Sequence, residues 1–132
     1  MKVIRVTIEK SVDLYGAYAE NVEGVWGVGE NVAEVKKSVE DAIQLLKQYN
    51  KPENVPVPLR GEYRLVYKFD TQSLLNYYKG VFSNSALERI TGINQRQLQH
   101  YSSGLKKPRP AQLKKIESGL HRLGAELLAI EL

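Results

Sequence analysis

The residues Gly92, Ile93 and Asn94 constrain the fold most, because they separate two short segments with helical periodicity. Glycine suits the left-handed conformation that commonly ends a helix, as Gly92 would end the first one. Asn94 is a typical N-cap for the second helix, and we expect Gln97 to return the capping hydrogen bond. With Ile93 buried at the corner, the pattern predicts two helices that meet at an angle.

The second of these helices has one apolar and one polar face. Leu98, Tyr101 and Leu105 recur at spacings of three and four, and we expect all three to point into a core. Arginine can make a bidentate contact to guanine, and glutamine to adenine. The pattern therefore predicts a helix-turn-helix that binds operator double-stranded DNA through its second helix. The candidate base-contacting side chains include no carboxylate; they are Asn94, Gln95, Arg96, Gln97, Gln99, His100 and Ser103.

The charge distribution supports this prediction. Residues 1–69 carry equal numbers of basic and acidic side chains, so the whole net charge of +4 lies in residues 70–132. Between residues 83 and 115 the only acidic residue is Glu88. Lys106, Lys107 and Arg109 follow the second helix, where they would contact phosphates and fix register without reading sequence. Such asymmetry is typical of a neutral module joined to one that binds a polyanion.

The last part of the chain predicts a helix longer than a small domain needs. Its apolar residues alternate at spacings of three and four; they are Leu113, Ile116, Leu120, Leu123, Leu127 and Ile130. We expect the early members to pack in the domain core. Leu123, Leu127 and Ile130 are predicted to pair copies of the chain in a homo-oligomer, dimer or tetramer, with an intramolecular cap as the alternative.

The first half has the pattern of a small α+β layer. Segments rich in β-branched and aromatic residues predict strands near 2–9, 15–20, 25–28 and 63–69. Apolar residues at helical spacing predict a helix after the third strand, capped by Asn31 with Glu34 completing a capping box. The expected order is β-β-β-α-β in residues 1–69, followed by an all-α helix-turn-helix domain in residues 70–132.

Several kinds of chemistry are not expected. The chain has no cysteine and two histidines, neither beside an acidic cluster, so we expect no metal, no cofactor and no nucleophilic triad. A nuclease site built on Asp13, Glu20 and Glu23 is a less favoured alternative, because two-metal hydrolysis needs several converging carboxylates. We therefore expect no enzymatic activity. Without a long apolar run or a signal-peptide pattern, we expect a cytoplasmic protein with no membrane contact.

Two resemblances bear on these modules. The stretch from Ala17 to Leu46 resembles the N-terminal domain of HicB-type antitoxins, and the landmarks are Gly24, Gly29, Asn31, Glu34 and the Glu40-Asp41-Ala42 segment. The second half resembles the Cro/repressor-like helix-turn-helix superfamily through Ser103-Gly104, Lys106-Lys107 and Pro108. That superfamily usually has a small residue where this chain has Glu88, and a larger apolar residue where it has Thr91.

The resemblance to HicB-type antitoxins implies a role in a type II toxin–antitoxin system. In that family the first domain is a truncated ribonuclease H-like fold that binds and covers an mRNA-cleaving HicA-type toxin, and the second represses the operon. For toxin binding we favour acidic residues, which would oppose a basic RNA-binding protein; they are Glu20, Glu23, Glu30, Glu34 and Asp41. The alternative is a one-component transcriptional regulator with an N-terminal ligand-sensing module.

Overall fold

The computed structural model describes residues 1–132 and has a mixed α+β fold with one four-stranded sheet. The chain divides into two compact units, Met1–Asp70 and Thr71–Leu132. The boundary lies one residue after the one expected from the sequence. None of the five α-helices combines the length and apolar character that crossing a membrane requires.

The first unit is a sheet covered by one helix. Its elements are β1 (Lys2–Lys10), β2 (Tyr15–Ala19), β3 (Trp26–Gly29), α1 (Val32–Gln48) and β4 (Tyr63–Phe69). Two short 3-10 turns, Pro52–Asn54 and Val57–Leu59, lie in the proline-rich segment before β4. The spatial order is β3-β2-β1-β4, with β4 parallel to β1 and the other pairs antiparallel. A parallel neighbour requires a crossover, which α1 supplies.

The core of the first unit lies between the sheet and α1. Alternate residues of β1 face the helix, and the apolar stripe of α1 packs onto them; the buried members include Ile4, Val6, Ile8, Val32, Val35, Val39 and Ile43. The N-cap is observed, since Asn31 Oδ1 accepts a hydrogen bond from the Glu34 amide at 2.9 Å. The return bond runs from the Glu30 amide to Glu34 Oε2 at 2.8 Å, so it reaches the residue before the cap.

The second unit is entirely helical. It consists of α2 (Thr71–Tyr77), a 3-10 turn at Tyr78–Gly80, α3 (Asn84–Thr91), α4 (Gln95–Ser103) and α5 (Pro110–Leu128). Its core joins all four helices through buried side chains; these are Leu75, Leu87, Ile93, Leu98, Tyr101 and Ile116.

Two residues expected in this core are exposed instead. The side chain of Leu105 is 70% exposed, because α4 ends at Ser103 and Gly104 turns the chain with a φ of 82°. Leu113 is 44% exposed in the first turn of α5, so the buried stripe of that helix starts at Ile116. The expectation of a core position for both was wrong. For Leu105 the helical spacing does not continue through the left-handed turn at Gly104, and Leu113 lies in α5 ahead of the part of that helix that is buried.

Candidate functional sites

A short corner joins α3 to α4. Gly92 adopts a φ of 75°, and its amide donates to the Glu88 carbonyl at 2.8 Å, which closes α3. Ile93 is buried beneath the corner. Asn94 caps α4, with its Oδ1 accepting the Arg96 amide at 2.8 Å. Three residues therefore end one helix, fill the corner and start the next.

Glu88 and Thr91, where the sequence differs from the superfamily pattern, fasten this corner. The Glu88 carboxylate accepts the amide of Gln95 at 3.0 Å, so a side chain of α3 satisfies a free amide of α4. The buried Thr91 hydroxyl donates to the Leu87 carbonyl at 2.7 Å and accepts the Ile93 amide at 3.1 Å. The return bond expected from Gln97 is not formed, and Glu88 supplies a bond at this helix start instead.

The polar face of α4 divides into open and partly covered side chains. Asn94, Gln95, Arg96, Gln99 and Ser103 are exposed. Gln97 and His100, placed on the same face by the sequence, are half-buried. Gln97 Nε2 donates to the Tyr101 hydroxyl at 2.9 Å, and the buried His100 Nδ1 has no hydrogen-bond partner. The exposed residues at the start of α4 are therefore more accessible to a binding partner than Gln97 and His100.

Asn84 is a residue of this surface that the sequence did not single out. It starts α3, and its Nδ2 donates to Gln99 Oε1 at 3.2 Å. The bond uses one of the two lone pairs of Gln99 Oε1 and leaves its amide group free to donate. Asn84 is thus a positioning residue for a side chain of α4.

The cations after α4 have no acidic partners. Lys106, Lys107 and Arg109 are exposed in the loop before α5, and neither they nor Arg96 form an ion pair. The loop is anchored because the Lys106 amide donates to the carbonyl of His100 at 3.2 Å. Uncompensated cations held beside donor side chains attract a phosphate backbone.

The first unit has a cleft of about 420 Å³ between β3 and α1. Trp26 and Leu45 form its apolar part and are 67% and 53% exposed. Two of the acidic residues expected to bind a partner, Glu34 and Asp41, line it as well. Asp41 pairs with Lys37 at 2.9 Å, and Ser38 Oγ accepts the Val28 amide at 3.1 Å. The sequence had not indicated Trp26 or Leu45 for this role.

The other three acidic candidates lie outside the cleft. Glu20 accepts a hydrogen bond from the Thr7 hydroxyl, while Glu23 and Glu30 are exposed in turns on either side of β3. The acidic candidates therefore do not all line one cleft. No group of three or more histidine, aspartate or glutamate side chains is placed to hold a metal ion.

The predicted pairing residues lie on and beyond the end of α5. Leu123 is half-buried, whereas Leu127 is 55% exposed and Ile130 is 60% exposed.

Comparison with protein-family models, curated proteins and solved structures gave no match.

Proposed function

We propose that this chain is a HicB-type antitoxin that represses its own promoter and neutralises an mRNA-cleaving HicA-type toxin in the cytoplasm. The observation that carries the proposal is the α3–α4 corner, which presents Gln95, Arg96 and Gln99 beside unpaired cations. A helix of this kind enters the major groove with its first residues against the base edges. The protein acts without catalytic residues, metal or cofactor.

Recognition of DNA is divided between two sets of side chains. Arg96 is the best donor for a bidentate contact to guanine, and Gln95 and Gln99 suit adenine or single donor contacts. Lys106, Lys107 and Arg109 bind phosphates on the rim of the groove, which sets register. Two copies of the unit are needed for high affinity, because one such module buries little surface.

The first unit is the toxin-binding half, with a truncated ribonuclease H-like fold. Support comes from its β-β-β-α-β order with β4 parallel to β1, and from the cleft beside α1. Tryptophan is among the residues that most often carry the binding energy at the centre of a protein interface. The carboxylates of Glu34 and Asp41 at the same cleft would steer a basic partner towards it.

The DNA-binding half of the proposal is tested by selection from a random duplex library with the 132-residue chain. We expect enrichment of a palindromic site, and binding of that site at least a hundredfold tighter than random duplex. Recovery of no preferred sequence, with equal binding of all duplexes, would contradict a repressor role.

The antitoxin half is tested by coexpression with the protein encoded by the adjacent reading frame. We expect that protein to be small and basic, to cleave mRNA alone, and to lose this activity when bound to the chain. A chain that binds no adjacent product, but whose DNA affinity changes with a small molecule, would favour the one-component regulator instead.

A further inference from the structure

A groove of about 380 Å³ lies between α3 and α5 of the second unit. Its floor is apolar and includes Phe82, Ile90 and Leu123. Arg89 and Arg122 lie along it with a single carboxylate, Glu126. An apolar floor with a charged rim is the composition of a protein interface that excludes water at its centre.

The walls of this groove are fixed within a single chain. A Cβ atom on Gly119 would overlap the Ile90 carbonyl oxygen, so α5 approaches α3 at a position where only glycine fits. Arg122 Nη2 donates to the same carbonyl at 3.2 Å. The groove is therefore present before any partner binds.

The residues that follow the groove are unusually apolar for an exposed segment. Four large apolar side chains occur within six residues, and each is more than half exposed; they are Leu127, Leu128, Ile130 and Leu132. Because α5 continues straight to Leu128, rising about 1.5 Å per residue, it carries Leu127 away from the groove of its own chain. Exposed apolar clusters of this kind mark interaction sites.

Gly124 lies between the groove and this apolar segment. Unlike Gly119, it has no atom within 4 Å of the position that a Cβ would take. Glycine in the middle of a helix costs about 1 kcal/mol relative to alanine. No contact within the chain requires a glycine here, whereas the close approach of a second helix would.

We propose that the groove binds the segment Leu127–Leu132 of a second copy of this chain, in a reciprocal two-fold pair. The two α5 helices cross antiparallel near Gly124, so that Leu127 and Ile130 of each copy enter the groove of the other. Such a contact is self-complementary, as a closed dimer requires. The rim is complementary too, since Glu126 of one copy can face Arg89 of the other.

The pairing has a consequence for DNA binding that rests on the proposed function. One wall of the groove is α3, the first helix of the helix-turn-helix, so the second copy packs directly on the element that carries the corner. The dimer then fixes the separation of the two α4 helices, and hence the spacing of the half-sites.

The test measures the mass of the full chain without DNA, by sedimentation at protein concentrations from about 1 to 100 µM. We expect a dimer, and at least a tenfold larger dissociation constant for the double variant Leu127→Ser, Ile130→Ser. Both side chains are exposed in the single chain, so its fold is retained. Leu105→Ser, another exposed leucine, is the control and should leave the dissociation constant unchanged.

A charge exchange separates this arrangement from any other dimer. Glu126→Arg should weaken the dimer, and Arg89→Glu in the same chain should restore it. A wild-type chain that stays monomeric at about 100 µM, or a dimer unaffected by the Leu127 and Ile130 changes, would overturn the proposal. Since the readout contains no DNA, failure of the repressor function would leave this result intact.

Discussion

Gly119 of α5 packs directly against the backbone carbonyl of Ile90 in α3, and a Cβ atom at residue 119 would overlap that oxygen. The contact fixes α5 on the first helix of the corner. Gly119→Ala should therefore lower the free energy of unfolding by about 1–3 kcal/mol, because backbone must move to admit the methyl group. Gly124→Ala is the matched control and should raise it by up to about 1 kcal/mol, since its Cβ meets open space.

These two variants are compared by urea unfolding at low protein concentration, with two signals. Far-UV circular dichroism follows the second unit most strongly, because that unit is entirely helical. The only tryptophan, Trp26, lies in the first unit and reports on it alone. Equal effects of the two substitutions on the free energy of unfolding would show that the close packing at Gly119 does not stabilise the second unit. A shift of the tryptophan transition by Gly119→Ala would show the same.

Thr91 is the second point at which the corner is fastened. Replacing it with valine keeps the shape but removes the hydroxyl, which leaves the buried Ile93 amide without its partner. We expect a loss of about 1–3 kcal/mol of unfolding free energy. Ser103→Ala removes an exposed hydroxyl and should cost much less. If both changes had the same small effect, the Thr91 bonds would not determine the corner.

Sequence periodicity predicted the corner, both helix caps and the order of strands and helix along the chain, because these depend on local spacing and on the preferences of single residues. It did not predict that Glu88 would take the bonding role expected of Gln97, since the carboxylate of Glu88 and the amide of Gln95 are seven positions apart and meet only after the helices pack. Leu105 was misplaced because spacing alone does not show where a left-handed glycine ends a helix. Trp26 and Leu45 come together only in the folded unit.

Arg96 and Lys107 should differ in how their loss affects DNA binding. Arg96→Ala should cost about 1–3 kcal/mol on the selected site and relax the preference at one base pair. Lys107→Ala should weaken binding to every duplex and reduce the steepness of the salt dependence by about one unit. Fluorescence anisotropy on specific and random duplexes distinguishes them. Equal losses on both duplexes for Arg96→Ala would show that α4 does not read bases.

Trp26 should be the main anchor for the partner of the first unit. Trp26→Ala removes an aromatic side chain that is already 67% exposed, so folding should be little affected while binding of the basic partner falls by at least 2 kcal/mol, about thirtyfold. Tyr49→Ala is the control, because Tyr49 is 76% exposed and does not line the cleft. Isothermal titration with the purified adjacent gene product measures both. Equal weakening by the two changes would place the interface elsewhere.

Tyr67 gives the first unit a specific response to alkaline pH. Its hydroxyl is buried without a hydrogen-bond partner, and Lys36 lies 4.7 Å from the centre of its ring. Burial, with a smaller contribution from the charge of Glu40, raises the pKa of Tyr67 above its ordinary value of 10.0. Because the pKa is raised in the folded state, the unfolded chain loses the phenolic proton first. Stability is therefore retained below about pH 10 and falls as pH rises through the folded value.

Tyr67→Phe should remove this response. At neutral pH it eliminates a buried hydroxyl without a partner, so we expect the free energy of unfolding to stay the same or rise by about 1 kcal/mol. Above about pH 10 the wild-type chain should lose stability relative to the variant, because only the wild type has this phenol to ionise on unfolding. Tyr49→Phe, at an exposed tyrosine, serves as the control and should follow the wild type at every pH. Tryptophan fluorescence during urea unfolding at several pH values measures the difference, and parallel stability curves for wild type and Tyr67→Phe would exclude a role for this hydroxyl.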